Sequence, residues 1–150
     1  MQDNFCVINK TKGKLPSLSF SKLKNDILGK EYSLSIAYVS LKKSKELNKT
    51  YRNKNKPTNI LSFPLRKKEG EIILCPSLIK REAKNFERTF EQFLGFLVIH
   101  GMLHLKGLEH SSTMEKAEEK YDKKYYSRNR HRILDDEGRR GRILQRRKKS

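Results

Sequence analysis

The sequence predicts an α/β (α+β) fold: a single compact domain in which a small mixed sheet packs against one buried helix and its flanking helices. Three observations carry this. Stretches with strand alternation, led by "YSLSIAYVSL", are interleaved with stretches of helical spacing. One segment, "FLGFLVIHGMLHL", is apolar nearly all round, as a helix enclosed by its own domain must be. The 150 residues are the size of one ordinary domain, long enough to bury a core.

The elements follow in order. Residues 4–8, "NFCVI", read as a short first strand. "LPSLSFSKLKNDILGK" spaces Leu18, Leu23, Ile27 and Leu28 at helical intervals and closes on Gly29. "YSLSIAYVSL" is a strand with Leu34, Ile36 and Tyr38 on one side and Ser35 and Ala37 on the other. Ser44 opens a short helix, "SKELNKTYR", with Leu47 and Tyr51 facing inward. Pro57 holds a loop that leads into the strand "NILSF", which stops at Pro64. "RKKEG" turns the chain into the strand "EIILC", and Pro76 suits the first turn of a helix to about Phe86. Thr89 and Gln92 form a capping-box pattern ahead of the apolar helix, which ends near Gly107. Ser112 and Glu115 form another, opening a charged helix to about Arg130. The domain is therefore set at residues 1–130. Residues 131–150 form a basic, flexible tail: "RRGRILQRRKKS" holds seven basic residues and no acid.

Charge points to the partners. Lys and Arg number 35 against 17 Asp and Glu, a formal net charge of +18. Such a surface draws polyanions, nucleic acid first and an anionic membrane surface second. No basic helix with a broad apolar face stands out for the second role, no apolar run approaches the ~20 residues of a spanning helix, and "MQDNFCVINKTKGK" is not a signal peptide. The expectation is a cytoplasmic protein with no membrane partner and no small-molecule cofactor. Cys6 and Cys75 are far apart and form no CxxC pair, so both are expected as reduced, buried thiols. A disulfide, or Cys75 as a fourth metal ligand, are the alternatives.

Residues 100–110, "HGMLHLKGLEH", hold three of the four histidines. On a helix, residues four apart are offset by only ~40° and rise about 6 Å, so His100 and His104 share a face. Two imidazoles so placed can reach one divalent ion. Gly107 allows the reversal that delivers His110 toward the same ion. Three histidines leave a fourth tetrahedral position for water, the pattern of a catalytic site. The competing reading is a pair of buried, hydrogen-bonded core histidines. In zinc proteases with HExxH a glutamate follows the first histidine as general base; here that residue is Gly101. The missing base and the +18 charge favour a phosphodiester over a peptide as substrate.

"HGMLHLKGLEH" resembles the H-G-x-x-H-L-x-G-x-D/E-H motif of YbeY, a family of bacterial rRNA maturation factors described as single-strand-specific endoribonucleases. "LNKTYRNKNKPTNILSFP", residues 47–64, is similar to the segment that precedes the zinc helix in that family. The resemblance runs from about Leu34 to Glu119, and the tail from about Arg128 finds no counterpart. It implies one zinc per chain held by His100, His104 and His110, and ribosomal RNA of the small subunit as partner. The implied role is 3′-end maturation of that RNA and ribosome quality control. Arg52 matches an arginine of the family's active-site groove, and Thr58, Asn59 and Ser62 match the polar residues after it. Arg52 can bind a scissile phosphate through its planar fork, or be a solvated helix-end arginine. Thr58 and Asn59 can bind substrate, or cap the turn after Pro57. Two residues depart from the family pattern. Glu109 stands where aspartate is common and could orient a ligand histidine, and Gly70-Glu71 replaces Gly-Asp.

The leading function is thus a zinc-dependent endoribonuclease. A non-catalytic, zinc-containing ribosome-assembly factor is the runner-up, and Gly101 makes a metallopeptidase improbable.

Overall fold

A computed structural model describes residues 4–15, 20–108 and 111–126. Four strands, β1 (Phe5–Asn9), β2 (Ser33–Tyr38), β3 (Ile60–Arg66) and β4 (Glu69–Leu74), form one mixed sheet in the order β1-β2-β4-β3. β1 pairs parallel with β2 and β2 parallel with β4, while β3 runs antiparallel along β4 at the edge. Among the described residues five α-helices join them: α1 (Ser21–Ile27), α2 (Leu41–Arg52), α3 (Pro76–Ala83), α4 (Phe90–Leu105) and α5 (Ser112–Tyr126). A single 3₁₀ turn, Lys84–Phe86, extends α3 to the phenylalanine where its helix was expected to end. The predicted α/β class is the one observed.

Strand alternation divides the core between two faces of the sheet. Leu34, Ile36 and Tyr38 of β2 and Ile72 and Leu74 of β4 point to one face, where α1, α3, α4 and α5 pack. Ala37, Val39, Leu61 and Ile73 point to the other, covered by Leu47 of α2. α4 is enclosed as its composition requires: eleven of its residues are buried, and Leu94, Val98, Ile99 and Met102 are wholly so. The Thr89–Gln92 capping box is present, each residue's side chain accepting a hydrogen bond from the other's backbone N–H.

Several local expectations are corrected. α2 begins at Leu41, capped by Ser40, and Ser44 lies buried within it, because its hydroxyl is needed to hold Thr58. Tyr51 is 63% exposed, its ring edge-on to Phe63 at 5.0 Å. β3 does not stop at Pro64 but runs on to Arg66 through an irregularity; an edge strand tolerates a residue that cannot donate. The cap of α5 is Ser111, whose Oγ accepts from the Met114 N–H, one residue before the expected Ser112. Cys75 is buried, but Cys6 is exposed, and neither is in a disulfide. Leu18, the run of α5 to Arg130 and the 131–150 tail lie outside the described residues. No helix among the described residues is long and apolar enough to cross a membrane.

Candidate active site

α4 carries the candidate site in its last turns. His100 and His104 turn their Nε2 atoms toward each other at 3.0 Å, with ring centroids 4.5 Å apart. His110 and Glu109 lie outside the described residues, and among the described ones no group of three His, Cys, Asp or Glu side chains gathers to hold a metal. The helix ends on Gly107, whose φ of +106° suits the reversal expected there.

The carboxylate that orients His100 comes from a residue the sequence reading missed. Glu118 of α5 is 3% exposed, and its Oε2 makes a short hydrogen bond with His100 Nδ1. When Glu118 is ionised its carboxylate can only accept, which requires the proton on His100 Nδ1 and leaves the Nε2 lone pair facing the site. Glu118 thus stands where it can orient His100, while Glu109, expected to orient a ligand histidine, lies outside the described residues. A signal for it exists in the sequence: Met114, Glu118, Asp122 and Tyr126 recur every four residues, so both acids share the stripe that packs on α4. Read as a charged, solvated helix, α5 hid them.

This donor set fits a divalent cation. Two imidazole nitrogens on one tetrahedral ion at ~2.0–2.1 Å each stand about 3.3 Å apart, close to the 3.0 Å seen here. A carboxylate on the far nitrogen of a ligand histidine is the usual support for such a site. Cys75 is less suited as a further ligand, since burial pushes its pKa up and favours the thiol over the thiolate.

Gly101 acquires a packing reason. A Cβ there would come within 3.0 Å of Ile60 Cδ1 and Ser62 Oγ and 3.1 Å of Ile72 Cδ1. α4 therefore crosses β3 and β4 on a bare Cα, and a side chain at 101 would require Ile60, Ser62 and Ile72 to give by a few tenths of an ångström. Of the polar residues expected in the groove, Ser62 thus lies directly against α4, one residue from His100.

Thr58 and Asn59 are engaged within the protein. The Thr58 N–H donates to Ser44 Oγ at 2.9 Å and that hydroxyl donates back to the Thr58 carbonyl at 2.7 Å. Asn59 Nδ2 donates to Glu82 Oε1 at 2.8 Å. These bonds tie the segment after Pro57 to α2 and α3. Arg52 is exposed at the end of α2, where Asn53 adopts φ 58° and terminates the helix. α2 covers the opposite face of the sheet from α4, so the structure brings Arg52 and the histidines to the sheet from different sides.

A second buried carboxylate braces the site. Asp122 and Arg88 form a two-pronged ion pair at 2.9 and 3.3 Å, their side chains 4% and 10% exposed. The guanidinium also lies 4.7 Å over the Phe96 ring. One turn on, the Tyr126 ring rests on the bare Cα of Gly95, and its burial drives the phenol pKa far above the usual range. Together these contacts lock α5, and with it Glu118, against α4.

Comparison with known proteins agrees with this architecture. The family described as endoribonuclease YbeY matches residues 8–128. An endoribonuclease YbeY of Thermotoga neapolitana is 35% identical over 123 residues, covering 79% of this chain and 83% of that protein. One from Staphylococcus carnosus is 36% identical over 115 residues, 69% of this chain and 72% of its own length. The solution structure of a Thermotoga maritima protein superposes with a TM-score of 0.59 at 31% identity, covering 88% of this chain and 95% of that one. The chain belongs to the endoribonuclease YbeY family.

Proposed function

We propose that this protein is a zinc-dependent, single-strand-specific endoribonuclease that matures the 3′ end of small-subunit ribosomal RNA in the cytoplasm. The observation that carries the metal reading is the His100–His104 pair with Glu118 hydrogen-bonded to His100 Nδ1; family membership carries RNA cleavage. His100 and His104 would hold the ion, with His110 as the expected third ligand. A zinc ion bound there supplies Lewis-acid polarisation of a phosphoryl oxygen. The motif match is what supports Arg52, always charged and planar, as the group that would hold the phosphate; starting from the other face of the sheet, it would have to meet the RNA round the β3 edge. Ser62, against α4, helps seat the substrate, and the basic surface supplies affinity for RNA. Residues 1–130 form the catalytic domain and 131–150 a basic RNA-binding tail.

The test is cleavage of a single-stranded RNA by the purified protein. Activity should disappear with chelator and return with zinc. Cleavage untouched by exhaustive chelation would end the zinc reading, and RNA binding without cleavage would favour the non-catalytic assembly factor. Glu118→Gln supplies a separate readout. The amide keeps the volume but not the charge on His100 Nδ1, and zinc affinity in a competition titration should fall roughly 10–100-fold. Unchanged affinity would show that the carboxylate only packs.

A further inference from the structure

At the other end of α4 the fold builds a basic groove outside the histidine site. The first turns of three helices border it: Ser40 and Leu41 of α2, Pro76 and Ser77 of α3, and Thr89 and Phe90 of α4. The groove encloses about 1120 Å³. Five lysines line it, Lys10, Lys12, Lys14, Lys42 and Lys80, against a single acid, Glu91.

This arrangement is held in place. Asn9, the last residue of β1, accepts the Thr11 N–H at 2.9 Å and donates its amide to the Gly13 carbonyl at 3.0 Å. That clip fixes the turn on which Lys10, Lys12 and Lys14 alternate. All five lysines are exposed, and none forms an ion pair among the described residues. A cation at a helix N-terminus opposes the helix dipole, yet α2 carries Lys42 in its first turn, and neither α2 nor α3 has an acid in its first turn to offset the positive end. Positive side chains and positive helix ends thus meet in one concavity, at a cost in self-repulsion that a polyanion would relieve. The level of Phe90 lies ten residues, about 15 Å, along α4 from His100.

We propose that this groove binds the sugar–phosphate backbone of a single-stranded RNA at a stretch removed from the bond presented to the histidines. The inference rests on the endoribonuclease reading for the identity of the polyanion. Phosphates lie against the five lysines and the helix ends, and the apolar floor of Leu15, Leu41, Pro76 and Phe90 accepts the sugars and bases.

The experiment measures anisotropy of a fluorescein-labelled oligoribonucleotide of about 20 nucleotides with the full chain. It compares wild type, Lys10→Gln/Lys12→Gln/Lys14→Gln, and a control with the same charge change, Lys116→Gln/Lys120→Gln/Lys123→Gln on exposed positions of α5. The groove variant should bind about tenfold or more weakly near 0.15 M salt, with a log–log salt slope shallower by roughly 2, three contacts at ~0.7 each. Its kcat at saturating RNA should stay within about twofold of wild type while KM rises. Equal losses in the groove variant and the control would overturn the proposal, because general charge would then suffice. So would no loss in either. Binding is read without cleavage, so an inactive wild type whose affinity still depends on the groove lysines would sink the nuclease reading and leave the groove standing.

Discussion

His104→Ala is expected to lower single-stranded RNA cleavage roughly a thousandfold, since a bound metal contributes several kcal/mol of charge stabilisation and each 1.36 kcal/mol is tenfold in rate. The side chain sits half-buried at the mouth of the site with its Nε2 3.0 Å from that of His100, so removing it takes away half of the visible donor pair. The fold should tolerate the change, because the fully buried face of α4 is carried by Leu94, Val98, Ile99 and Met102. His100→Ala should lose as much activity and some stability as well, because it leaves the buried Glu118 without its imidazole. Bound zinc, measured by elemental analysis of untagged protein, should fall in parallel with activity in both variants. Full activity in His104→Ala would mean either a contaminating nuclease or chemistry that needs no ion at this pair.

Asp122→Ala is expected to cost about 3–5 kcal/mol of folding stability, the usual penalty for stranding one member of a buried ion pair. Arg88 would keep its charge among Phe96, the Gln92 carbonyl and the α4–α5 seam, with no carboxylate in front of it. For a domain of this size the midpoint of thermal unfolding should fall by roughly 10–20 °C. Arg88→Met with Asp122→Leu should recover much of that loss, because the pair's own desolvation cost disappears with it. Thermal melts of the two single variants and the double variant check this, and a loss below about 1 kcal/mol in Asp122→Ala would show that the guanidinium finds water or another acceptor. Because the same helix delivers Glu118, zinc affinity should weaken in Asp122→Ala as α5 loosens.

The two variants probe features that differed in how plainly the sequence announced them. His100 and His104 were legible because a helical repeat is local: a spacing of four places two side chains on one face wherever the helix lies. The buried α4, its capping box and the β2 alternation were legible for the same reason. Glu118 and Asp122 were not, although each recurs in phase with Met114 and Tyr126. A carboxylate on a lysine-rich helix looks solvated until a partner is found for it, and those partners, His100 and Arg88, lie 18 and 34 residues away. Tyr51 failed in the opposite sense, facing solvent because α2 meets the sheet through Leu47 instead. Pro64 misled because a proline ends a central strand but not an edge strand, and edge position is a property of the sheet.

Composition and short-range spacing were thus enough for the α/β class, the order of the elements, the strongly basic charge balance and the paired imidazoles. These depend on helix and strand periods of a few residues and on summed charge. Only the folded chain decided which carboxylate meets His100, what a side chain at position 101 would press against, and where five lysines from three segments converge. Each of these joins residues brought close by packing α4 and α5 on the sheet, and no local period encodes such distances.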